Sequence, residues 1–64
     1  MYYLIIVQND ETPAVFAYTS YDEALARFHS ELAYRAEGRI STKCMILDGD
    51  LVMTDREVWT APVD

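Results

Sequence analysis

The sequence is short of nearly everything that small proteins use to brace themselves. Cys44 is the single cysteine in 64 residues, which excludes a disulfide within the chain. A lone thiol and a lone histidine, His29, give no Cys/His set with the spacing of a structural metal site, so neither metal nor resident cofactor is expected. The two glycines, Gly38 and Gly49, stand apart, and no glycine-rich phosphate cradle can be built from them. One histidine leaves no convincing Ser-His-Asp arrangement. Cys44 with His29 is the remaining nucleophile–base pair, but Cys44 lies inside an apolar run, where a free cysteine packs as a small hydrophobe. The chain does not read as an enzyme.

Positive charge is scarce too. Five Lys and Arg face eleven Asp and Glu, for a net charge of -6 and a pI near 4.4. That balance disfavours direct binding to nucleic acid or to an anionic membrane surface. It suits a basic protein surface instead, including one that ordinarily holds DNA or RNA. No apolar run approaches the ~20 residues needed to cross a bilayer. The opening YYLIIV has no basic segment before it and no small-residue cleavage site after it, so it reads as a strand rather than an export signal. With one unpaired cysteine and no export signal, a cytoplasmic setting is expected.

What is present is enough for one small domain, residues 1–64. A chain this short buries only about 60% of its unfolded surface, yet 52% of its residues are hydrophobic. Tyr2 to Gln8 is a continuous β-branched and aromatic run, as a strand buried on both faces requires. Asn9 to Pro13 is a polar turn, and Ala14 to Tyr18 a second short strand. Ser20-Tyr21-Asp22-Glu23 has the form of a capping box, with two carboxylates at the positive end of the helix dipole. The helix should run from Tyr21 to Glu37, with Gly38 as its left-handed stop. Ser41 to Leu47 reads as a third strand and Leu51 to Trp59 as a fourth, joined by a two-residue Asp48-Gly49 hairpin turn. Ala61 to Asp64 forms a short tail.

These elements predict an α+β fold of two layers, β-β-α-β-β, with a four-stranded antiparallel sheet in the order 2-1-3-4 and one helix on one face. The first strand is the most apolar and belongs in the middle. One helix covers one sheet face. The other would expose an apolar patch above roughly 400 Å², so a homodimer packed through the uncovered sheet face is expected.

On a helical wheel Tyr21, Ala24, Leu25, Phe28 and Leu32 share the core face. Arg35 falls on that face as well. It should overhang the sheet end with its stem packed and its head in water, assisted by Glu31 four residues earlier. Four of the five basic residues lie between positions 27 and 43, and Arg35, Arg39 and Lys43 should gather near the helix C-terminus. The dipole there accounts for cations by itself, but with His29 and Tyr34 the same group could hold a phosphate or a small anion. The acidic loops at Asp10, Glu11, Asp48 and Asp50, together with Asp55 and Glu57, form a candidate surface for a basic partner. Asp48-Gly49-Asp50 lacks the further ligands of a calcium loop. The aromatic residues resemble a base-stacking sheet, but Asp55 and Glu57 on the fourth strand argue against that use.

The segments YYLIIVQN at 2–9, TPAV at 12–15, FHSELAYR at 28–35 and CMILD at 44–48 together resemble a group of short proteins from phages and mobile elements of Gram-positive gut bacteria, for which no activity is assigned. What the resemblance implies is a genomic setting in which small acidic proteins inhibit host defence components. The chain is therefore expected to be a non-enzymatic interaction protein acting by stoichiometric binding. The alternative is a nucleotide sponge that uses Arg35, Arg39 and Lys43.

Overall fold

The computed structural model describes residues 1–63. The chain runs β1 (Tyr2–Gln8), β2 (Ala14–Tyr18), α1 (Tyr21–Glu37), β3 (Thr42–Leu47) and β4 (Met53–Trp59). The strands form one antiparallel sheet in the order β2-β1-β3-β4, as the α+β pattern requires. β1 is central because it bonds on both sides, to β2 from Tyr2↔Tyr18 to Ile6↔Ala14 and to β3 from Tyr3↔Leu47 to Gln8↔Thr42. Of the predicted tail, Ala61 to Val63 follow β4 without regular structure; Asp64 lies outside the described residues. No helix among them is long and apolar enough to cross a membrane.

Strand alternation decides the core. Leu4 and Ile6 of β1 and Cys44 and Ile46 of β3 point to one side, where Ala24 and Phe28 of the helix meet them. Tyr2, Tyr18, Tyr21, Leu25 and Leu32 seal the margins. Burying each large member stabilises by about 1.5–3 kcal/mol. Among the described residues Thr42 is the buried polar one, and its hydroxyl donates to the Ile40 carbonyl at 2.9 Å, which removes the cost of an unmade hydrogen bond.

The helix begins as its sequence dictates, with the Ser20 hydroxyl accepting from the Glu23 amide at 3.3 Å. It ends differently from expectation. Gly38 has an ordinary φ of -80°, and Arg39 takes the left-handed position at φ 57°. The Ile40 amide donates to the Arg35 carbonyl at 2.9 Å and the Arg39 amide to the Ala36 carbonyl at 3.0 Å. That pair of bonds is the Schellman arrangement, so the reversal falls one residue later than glycine placement suggests. The later stop leaves Ile40 beside Gly38.

The β3–β4 connection also departs from the two-residue turn. The Leu51 amide donates to the Asp48 carbonyl, and the Asp48 amide to the Val52 carbonyl, both at 2.9 Å. The loop is therefore Gly49-Asp50-Leu51, with Leu51 left-handed at φ 62°; this is the three-residue hairpin whose last residue is ideally glycine. The Asp48 carboxylate accepts from the amides of Asp50 and Val52, a local bond that drives the longer turn. As a result β4 starts at Met53 rather than Leu51. The pairing shifts between Asp55 and Met53, so Thr54 bulges out. Met53 then stands opposite Leu47, on the same sheet face as Arg56 and Val58 rather than the face of Asp55.

Candidate functional site

The sheet face away from the helix is assembled by register. Its middle row runs Val15, Ile5, Met45, Arg56 across β2, β1, β3 and β4. One flanking row is Ala17, Tyr3, Leu47, Met53; the other is Val7, Lys43, Val58. Tyr3, Ile5, Val7, Met45 and Leu47 are half-buried on the inner strands, while Val15 is 60% and Met53 47% exposed toward the edges. No strand residue described on this face is a carboxylate. Its two cations lie at the margin: Arg56 on the edge strand, and Lys43 at the strand end, where its Nζ lies 3.5 Å from Asp10.

Asp55 and Glu57 face the other way. The Tyr21 hydroxyl of the helix donates to Asp55 Oδ2 at 2.7 Å, and the Thr54 hydroxyl to the same oxygen at 2.9 Å. The hydrogen bond to Asp55, some burial and the nearby carboxylate charge raise the Tyr21 pKa above its ordinary value. The two acids that argued against a cationic or aromatic sheet surface are thus on the helix side. The period-two alternation in the Asp55-Arg56-Glu57 triplet carried the signal, since it must place Arg56 opposite both neighbours; Arg56 was missed as a site residue.

The predicted basic cluster is divided by the sheet. Arg35 lies on the helix side, where its Nε donates to Gln8 Oε1 at 3.1 Å and its Nη1 to the Glu31 carboxylate. Only 18% of its side chain is exposed, so its head is not free in water as expected; Glu31 and Gln8 replace the solvent. Glu31 also accepts from Arg27 Nε at 2.5 Å. Burial by itself would raise the Glu31 pKa, but the hydrogen bonds from Arg35 and Arg27, with their charges, hold it below the usual carboxylate value. Arg27 in turn lies 5.2 Å from the Phe16 ring centroid, the geometry of a cation–π contact. Lys43 projects from the opposite sheet face, so Arg35 and Lys43 do not converge; Arg39 belongs to the turn after the helix.

His29 is exposed and stands edge-on to Phe28 at 5.4 Å. Cys44 is fully buried, and that burial pushes its thiol up despite the Arg35 charge nearby. A nucleophilic cysteine needs the opposite, an accessible thiolate. Tyr34 is 71% exposed between two shallow depressions, one bordered by Glu37 and Ile40, the other by Arg27 and Ser30. A further depression of about 220 Å³ at the end of the sheet includes Asn9, Asp10, Lys43 and Trp59. The acidic residues form no single surface. Asp10 and Glu11 lie beyond the end of β1, and Asp48 and Asp50 at the opposite end of the strands, because Gln8 pairs with Thr42 while Tyr3 pairs with Leu47.

Compared with known proteins, the chain matches no family model, no curated protein and no solved structure.

Proposed function

We propose that this chain is a binding protein that acts stoichiometrically, without catalysis, as a symmetric pair joined through the open sheet faces. The observation that carries the reading is the apolar, carboxylate-free face formed by Tyr3, Ile5, Val7, Met45 and Leu47. Its anatomy is that of a protein interface, with an uncharged centre and charged groups at the rim. Charge supports self-pairing specifically. Two copies that each carry -6 repel, and the repulsion is least where carboxylates are absent from the approaching surfaces.

Pairing leaves the helices and the acidic loops outward, and these suit a basic partner surface. Inhibition of a host defence component, which the sequence resemblance implies, is stoichiometric binding of this kind. No observation favours the nucleotide-holding alternative, since Arg35 and Lys43 stand on opposite faces of the sheet.

Native mass spectrometry and sedimentation equilibrium test the pair. The chain should be a dimer, and Met45→Lys, which puts a charge at the centre of the face, should yield a folded monomer. A chain that stays monomeric at millimolar concentration would defeat the reading.

A further inference from the structure

The distribution of charge also selects how two copies fit together. We infer that the two-fold axis of the pair runs along the strands, so that β4 of each copy lies over β2 of the other. The inference rests on the pairing proposed above and adds its geometry.

Aligned sheets pack about 10 Å apart with their strands within about 30° of each other. A two-fold axis in the plane between them can run across the strands or along them. An axis across the strands lays every strand over its own counterpart and exchanges the two ends. Arg56 occupies the middle row, so it would face Arg56 of the second copy. The Asp10–Glu11 loop would lie over the opposite end of β1 and β2, and the Asp48–Asp50 loop over the opposite end of β3 and β4. Like charges would therefore meet at the edge, Arg56 over Arg56 across the axis.

An axis along the strands keeps the ends together and reverses the strand order, so β2 covers β4 and β1 covers β3. Ile5 then lies over Met45 in both halves, a branched side chain against a flexible one. Arg56 lies over Val15, on a strand with no charged residue, and stays at the rim where its guanidinium can reach water. The loop with Asp10 and Glu11 comes over the end of β3 and β4, where Lys43 stands. Lys43 already reaches its own Asp10 at 3.5 Å, so two such pairs would alternate in sign across the interface. Charge complementarity of this sort fixes register in protein complexes.

Short-linker cross-linking distinguishes the two arrangements. Val15→Cys and Arg56→Cys are both exposed positions, and Cys44 can remain because its thiol is sealed in the core. Each variant is prepared alone and as an equimolar mixture, treated with a bis-maleimide spanning about 10 Å, and read by intact mass. The axis along the strands predicts a 15–56 cross-link in the mixture and little product from either variant alone. A Val15→Cys preparation, which keeps Arg56 in both copies, that cross-links efficiently to itself would overturn this geometry in favour of the axis across the strands. A dimer that persists in native mass spectrometry with no 15–56 product would overturn it as well, while leaving the pair itself intact. Loss of the dimer in the unsubstituted chain would remove both the geometry and the pairing beneath it.

Discussion

The Tyr21 hydroxyl donates to Asp55 at 2.7 Å, joining the first turn of the helix to the far edge strand. The bond fixes which way Asp55 points, and through the alternation of β4 it fixes Arg56 on the opposite face. The charge character of the open sheet face therefore follows from a contact on its other side.

That bond has a pH signature. The Tyr21 pKa is raised in the folded protein, so the stability it contributes is present below the ordinary tyrosine value, near 10, and is lost as pH rises through the raised one. Ultraviolet titration should show a tyrosine step from Tyr21 above the ordinary tyrosine value. Tyr21→Phe should remove that step and make the alkaline limb of stability shallower. An unchanged titration would contradict the contact.

Glu31 gives the mirror case. Its folded pKa is depressed, so its contribution is present above the ordinary carboxylate value, near 4.3, and disappears as pH falls through the depressed one. Glu31→Gln should cost about 1–3 kcal/mol at neutral pH, because the largely covered Arg35 loses its charged partner. The variant should also lose less stability than the parent on acidification. Urea unfolding at pH 7 and pH 3 measures both effects.

Gly38→Ala should stabilise the protein by ~0.4–1 kcal/mol, since Gly38 has helical-side geometry and an added methyl would meet Ile40 Cδ1 at an ordinary 3.5 Å. Were Gly38 the left-handed residue, the same substitution would destabilise. The sign of the change in thermal midpoint decides between the two.

Leu51→Gly should stabilise by about 1 kcal/mol. Leu51 is 66% exposed and left-handed, so little packing is lost and the steric cost of a side chain at positive φ is removed. A lower midpoint in thermal unfolding would refute the three-residue loop.

The elements and their order were legible because they rest on short-range rules. The apolar run of β1, the Ser20 cap and the helical spacing of Ala24, Phe28 and Leu32 each act within a few residues, and β1 had to be central because it alone is apolar on both faces. The turns were read less well. At Gly38 and Gly49 glycine drew the reversal, yet the left-handed residues are Arg39 and Leu51, because the Schellman bonds and the Asp48 side chain set each turn one or two residues further on.

The sequence by itself determined one small α+β layer pair with a single covered face, since periodicity and capping are local and the helix is too narrow to cover both sides. Tertiary structure alone decided where the charges went. Arg35 and Lys43 are eight residues apart in the chain, yet they stand on opposite sides of the sheet. Asp55 and Arg56 are neighbours that face opposite ways, and Asp10 and Asp48 are held at opposite ends. Register, a bulge at Thr54 and one hydrogen bond from Tyr21 made those assignments, and each depends on residues that meet only when the sheet has formed.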